Sequence, residues 1–214
     1  NRLALQGDLV GASALGVHNI LCLSGDNPKN SDQPETTVVN DIDSLTLIET
    51  ADMMRRKKQF PSGRIIEPAP KLCIGGAEIP TEGKPDPEKI SMKINMGVNF
   101  FQTQYVFDEF ILKEYMKVLE DAGILEKTFF IIGLGPFSSA KSAKWMDKNL
   151  FGVDVPEQII KRLEQAQDAK KESINICQEL INKFKDIKGV KGIHLMGHNK
   201  EEEIAKIIQE ARKS

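Results

Sequence analysis

Five short apolar runs punctuate the chain, each bounded by turn-forming residues: His18–Leu23, Lys71–Ile74, Val98–Gln104, Thr128–Ile132 and Gly192–Met196. Their length and flanks predict buried strands. Between them, apolar residues recur mostly at spacings of three and four, as in Leu45, Ile48, Ala51 and Met54, or Phe110, Leu112, Met116 and Leu119. That period predicts amphipathic helices. After the fourth run come three more helical patterns, Ser139–Lys148, Pro156–Gln165 and Lys170–Phe184, which read as extra helix outside the sheet. Trp145 and the methionines sit at helical spacing and read as packing residues. Asp108 opens one helical run that closes at Ala122-Gly123, and Gly97 follows Ile90–Met96 as a glycine just past a helix would. The helix–glycine–strand cadence recurs at Gly16, Gly97, Gly123 and Gly189 with no hairpin dipeptide between strands. An α/β fold with parallel strands and right-handed crossovers follows.

Asn27–Val39 and Pro61–Pro70 interrupt this regularity and are rich in Asn, Asp, Pro, Gly and Ser, so both read as loops. The first directly follows a strand, and in parallel α/β proteins ligands bind at the carboxyl ends of strands. Composition narrows the partners. With 29 basic against 31 acidic side chains and a net charge of −2, the chain offers no polyanion footprint, so neither nucleic acid nor an anionic membrane is expected. No apolar run approaches the roughly 20 residues of a membrane-spanning helix. Cys22, Cys73 and Cys177 are an odd, widely spaced set that fits neither a disulfide framework nor a CxxC metal site. They fit a reducing, cytoplasmic setting, with Cys22 and Cys73 read as small residues within buried strands.

Candidate chemistry is therefore sought just after each strand. The first is followed by Leu23-Ser24-Gly25-Asp26-Asn27-Pro28. Gly25 would let a ligand approach the backbone and Asp26 would present a charge, while an Asp-Asn-Pro turn is the plainer alternative. Gly75-Gly76-Ala77 removes side-chain bulk after the second strand, where a flat ring could rest on the backbone, or a tight turn could simply form. In the third, alternation puts Gln102 and Gln104 on one face and Thr103 on the other, and two amides on an apolar strand need partners. Gln104, terminal and followed by Tyr105 and Phe107, suits an amide facing a heterocycle. Gly133-Leu134-Gly135-Pro136 lacks the GxGxxG and GK[ST] spacings of phosphate loops, and Ser138 or Ser139 reads as a helix cap. His194 and His198 flank the last strand with no carboxylate pair nearby, so no metal site is expected. The residues alone reach a parallel α/β protein that binds a flat polar heterocycle.

Taken in order, NRLALQGDLVGASALGVHNILCLSGDNP, VVNDIDSLTLI, KLCIGGAEIP, VNFFQTQYVFD and GVKGIHLM resemble the methylenetetrahydrofolate reductase family, with GDNP and FFQTQ the most diagnostic stretches. The resemblance runs from Asn1 to about Met196. It implies a (β/α)8 TIM barrel, a flavoprotein holding FAD that takes hydride from NAD(P)H or another donor. The hydride passes to 5,10-methylenetetrahydrofolate, giving 5-methyltetrahydrofolate in one-carbon metabolism. By the same resemblance, Asp26 is a catalytic residue near the flavin and the folate pterin, and also a substrate contact. Gln104 meets the pterin. Leu23, Ser24 and Gly25 contact the flavin, Gly75, Gly76 and Ala77 lie under its ring, and Asp86 and Lys93 reach the adenosine and pyrophosphate of FAD. Self-association, or a partner reductase subunit, is implied as well.

The chain departs from the family pattern at several positions. Ser24 stands where many members carry Arg, Glu78 and Ile79 where a Tyr or His follows the strand, and Met92 where an additional Arg occurs. The family's general acid, a Glu on the first strand, has no counterpart, nor have the second and third strands. A (β/α)8 barrel of about 250 residues needs eight strands, whereas five are read here. The expectation is one barrel domain over residues 1–214, representing strands four to eight and lacking about three N-terminal units. The general acid would then lie in those units. The alternative is a non-catalytic flavin- or folate-binding subunit of a larger reductase assembly; another pterin-binding barrel enzyme, such as a methyltransferase, finds no matching Asn/Asp set.

Overall fold

The computed structural model describes residues 1–80 and 85–212. They group into two compact units: Asn1–Ala77 with Glu88–Phe100, and Glu78–Pro87 with Phe101 onward. Five strands are described, and the pairings resolved within each unit are parallel.

The first unit opens with helix α1 (Arg2–Ala14), whose start is capped by Asn1 Oδ1 accepting from the Ala4 amide at 2.9 Å. Strand β1 (Asn19–Cys22) follows, then a 3₁₀ turn at Pro28–Asn30, then α2 (Ser44–Asp52), which runs on into a π-turn at Met53–Lys57. Strand β2 (Cys73–Glu78) lies parallel to β1, from Asn19 opposite Cys73 to Cys22 opposite Gly76. Helix α3 (Pro87–Asn95) returns the chain, and Gly97 ends it at φ +121°. Ile48, Ala51, Met54, Ile74, Ile90 and Val98 are among its buried core residues; the spacing of three placed Ile48, Ala51 and Met54 inward, and the apolar runs placed Ile74 and Val98.

A polar clamp forms at the end of α2. Asp52, on the last turn of α2, pairs with both Arg55 and Arg56. Arg55 also donates to the carbonyls of Leu72 (3.0 Å) and Gly97 (3.1 Å) and to Asn99 Oδ1 (2.6 Å). One guanidinium thus holds the segment leading into β2 and the turn after α3, a use of its fixed fork of donors that Lys could not copy.

In the second unit, β3 (Phe100–Tyr105, all but its first residue), β4 (Phe130–Leu134) and β5 (Val190–Leu195) pair in chain order, all parallel. Helix α4 (Glu109–Asp121) connects the first two, and α5 (Ala140–Asn149), α6 (Glu157–Gln165) and α7 (Ala169–Phe184) the next; α8 (Glu201–Ala211) closes the described chain. Asp108, Ser139 and Asp168 cap α4, α5 and α7 through their side chains, as their small polar acceptors allow. Phe101 stacks on Phe130 at 5.2 Å, and Tyr115 meets the same ring edge-on at 6.2 Å.

Three sequence expectations need correction. Gly75, Gly76 and Ala77 do not follow β2; they lie within it, because ladder pairing needs only backbone, and Gly75 and Gly76 pair with Leu21 and Cys22. By contrast, burial along β3 keeps the expected alternation, with Thr103 buried between half-buried Gln102 and Gln104, although the β3–β4 register shifts between Gln102 and Tyr105. Trp145 is 57% exposed and packs no core; Ala143 is the buried residue of α5, and a position two further along points far round the helix. Cys73 is only half-buried, at the very start of β2.

Candidate functional site

Immediately after β1 the chain becomes exposed at Leu23, Ser24, Gly25 and Asp26. Leu23, Ser24 and Gly25 line a cavity of about 320 Å³ together with Leu5, Val39, Asn40, Ile42, Asp43 and Leu47. That volume lies at the small end of ligand pockets. Nothing approaches within 4 Å of where a Gly25 side chain would begin, so the backbone there is open to close approach. On the far wall, Asp43 accepts from the Thr46 amide at 2.8 Å and its hydroxyl at 2.7 Å. Those hydrogen bonds hold its carboxyl below the ordinary carboxylate range, so the N-terminus of α2 carries a fixed negative charge.

Asp26 is exposed next to this cavity in sequence but is not among its lining residues. The Asn-Pro turn forms after it: Asn27 Oδ1 accepts from the Lys29 amide at 3.1 Å and starts the 3₁₀ turn. At β2, a side chain added to Gly75 would start 2.6 Å from the Phe100 ring; the missing bulk therefore admits a neighbouring phenylalanine. Ala77 is exposed, and its carbonyl accepts from Lys93 Nζ at 2.9 Å. Lys93 is itself 9% exposed, so the ammonium is drawn back onto the end of β2 and two expected cofactor contacts are joined.

Gln104 and Asp86 belong to the second unit. Asp86 is exposed just before α3. The Gln104 amide is held at both ends, Oε1 accepting from the Tyr105 amide at 3.0 Å and Nε2 donating to the Phe151 carbonyl at 3.2 Å. Also at a strand end, Glu78 accepts from the Tyr115 hydroxyl at 3.3 Å, and burial beside that carboxylate pushes the phenol's pKa well up. His194 is half-buried on β5, and burial pushes its imidazole below the ordinary histidine value. Among the described residues no group of three metal-ligating side chains comes together.

Sequence reasoning placed Leu23–Gly25 at a ligand-accessible position but missed Leu5, Val39, Asn40 and Ile42 as walls. The signal was the length of the loop after β1, whose far end folds back to the strand it left. Tyr115 falls within the helical run that Asp108 opens, with nothing local to tie it to Glu78.

The family model described as methylenetetrahydrofolate reductase matches residues 1–212. The chain belongs to the methylenetetrahydrofolate reductase family. Among curated relatives, it is 26% identical over 202 residues to a probable methylenetetrahydrofolate reductase (NADPH) of Caenorhabditis elegans, covering 92% of this chain and 28% of the relative. This member of the family therefore spans little more than a quarter of that relative's length. Among solved structures, it resembles an uncharacterized protein from Clostridium thermocellum that binds two copies of 5-methyl-5,6,7,8-tetrahydrofolic acid. That likeness has a TM-score of 0.54 at 17% identity and covers 99% of this chain and 88% of the other. At that identity the shared feature is the fold.

Proposed function

We propose that this chain forms the flavin- and folate-binding part of a methylenetetrahydrofolate reductase, completed as a (β/α)8 barrel by about three further βα units. The observation that carries the reading is the open cavity after β1, lined by Leu23, Ser24 and Gly25 in a chain matched by the family model across residues 1–212. The cavity fits a ring-sized portion of FAD rather than the whole dinucleotide. Gly25 offers backbone at contact distance, and Asp43 keeps the facing helix start anionic. FAD, when bound, would carry hydride from NAD(P)H or another donor to 5,10-methylenetetrahydrofolate, yielding 5-methyltetrahydrofolate.

The chain's own residues take these roles in the reading. Leu23, Ser24 and Gly25 hold the flavin edge, and the β2 backbone at Gly75, Gly76 and Ala77 supports its ring. Asp26, exposed and acidic, orients the pterin and biases nearby proton transfer; Gln104 offers the pterin its remaining amide donor and acceptor. Asp86 and Lys93 serve the adenosine and pyrophosphate, which requires Lys93 to share or leave the Ala77 carbonyl. The general acid is a Glu on the completing units. Such a protein would work in the reducing cytoplasm, as a homo-oligomer or with a partner subunit.

Purified at its natural length, the protein should be yellow and should bind 5-methyltetrahydrofolate. D26N should weaken folate binding about ten-fold while retaining flavin, as expected for loss of one charged contact. A colourless preparation with no folate binding contradicts the reading.

A further inference from the structure

The register shift in β3 has a specific construction. Three steps along β3, from Gln102 to Tyr105, oppose two along β4, from Ile131 to Gly133; one extra residue is accommodated on β3, which is a β-bulge. The Gly133 amide, which a regular ladder would satisfy with a backbone carbonyl, donates instead to Thr103 Oγ1 at 2.8 Å. Thr103 Oγ1 in turn donates to the Gln104 carbonyl at 2.8 Å. Thr103 is 3% exposed, so its hydroxyl has no water with which to replace either bond. The opposing strand is shaped for this, since a side chain at Gly133 would begin 2.5 Å from the Thr103 carbonyl oxygen and 2.6 Å from that of Gln104. Any other residue there would push the bulge away.

The register shift brackets the residue whose amide the functional reading assigns to the pterin. That amide uses one of its two donor hydrogens on Phe151 and one of its two acceptor lone pairs on Tyr105. One donor and one acceptor remain for the edge of a flat heterocycle. We propose that Thr103 is a positioning residue: its hydroxyl, seated over Gly133, holds the bulge from which the Gln104 amide meets the ligand. The proposal rests on the reading of Gln104 as a folate contact. Serine keeps the hydroxyl and should suffice, whereas valine keeps the shape and loses the bond.

The test compares wild type, T103S, T103V, Q104A and the T103V/Q104A double variant by calorimetric titration with 5-methyltetrahydrofolate and by the ¹⁵N spectrum of side-chain amides. T103V should lose about ten-fold in affinity, the worth of one well-placed hydrogen bond, and T103S should stay within about two-fold. Adding T103V to Q104A should cost nothing more, because both act through one amide. The Gln104 amide resonances should move in T103V and stay in T103S. Losses that multiply in the double variant, or wild-type binding by T103V, overturn the proposal. If wild type binds no folate, the functional reading fails, and the amide resonances alone decide: unmoved in T103V, they overturn the role of Thr103. Should T103V not fold, hydrogen exchange at the Gly133 amide decides, with slow exchange in wild type and T103S expected and fast exchange contradicting it.

Discussion

The Gln104 side chain donates through Nε2 to the carbonyl oxygen of Phe151 at 3.2 Å, so a strand-end amide anchors the loop that follows α5. Q104A should free that loop without unfolding the unit. Amide hydrogen exchange at residues 150–153 should rise, while overall stability changes by no more than about 1 kcal/mol, the net worth of a typical hydrogen bond. Unchanged exchange there would mean the contact does not anchor the loop.

A different kind of constraint holds the first unit. Asp52 is 6% exposed and paired to Arg55 at 2.6 Å, and Arg55 Nε is a buried atom without a partner. D52A would leave the Arg55 charge uncompensated where water is scarce. Removing one partner of a buried pair costs about 3–5 kcal/mol, read as a lowered denaturant midpoint; a loss below about 1 kcal/mol would contradict the role.

G97A attacks the same place from the other side. Its new side chain would start 2.5 Å from the Asp52 Cβ, at a backbone φ of +121°. Strain of this type costs about 1–3 kcal/mol before any clash is counted. Thermal unfolding should show a clear drop, and combining G97A with D52A should give less than the sum.

Thiol chemistry should separate the three cysteines. Burial pushes the Cys22 thiol up to about 11 and that of Cys177 up to about 12, so neither is a ready thiolate at neutral pH. Cys73 is half-buried. Brief alkylation of the native protein at pH 8, followed by peptide mapping, should find Cys73 modified first. Early labelling of Cys177 would mean that α7 opens locally.

The pH dependence of stability should carry a signature of His194. Burial lowers its folded pKa, whereas the unfolded chain takes up the proton near the ordinary value of about 6.5. Below that pH the unfolded state binds more protons, so stability falls as pH drops from 7 through 6.5 toward the lowered folded value. Comparing wild type with H194Q by denaturant unfolding at pH 7 and pH 5.5 should show a smaller fall in the variant.

Much of the fold was legible because it rests on local signals. The apolar runs gave all five described strands, and Asp108, Ser139, Gly97 and Gly123 marked helix ends through capping and backbone conformation. Strand limits slipped by one to four residues, most at β2, where pairing overrode composition: Gly75 and Gly76 read as a turn, yet the β1 ladder runs through them. Long-range relationships were not legible. The bulge at Thr103 depends on a glycine 30 residues away, and Arg55 gathers Leu72, Gly97 and Asn99 from separate segments. The cavity walls at Leu5 and Ile42 likewise come together only once the loop after β1 is folded.

The central claim is tested most directly by reducing the flavin of the natural-length protein without air and mixing it with 5,10-methylenetetrahydrofolate in a stopped-flow spectrometer. The account predicts return of the oxidised-flavin absorbance, with one 5-methyltetrahydrofolate formed per flavin reoxidised. A flavin that stays reduced in the presence of bound folate would contradict it and leave a binding subunit without reductase chemistry.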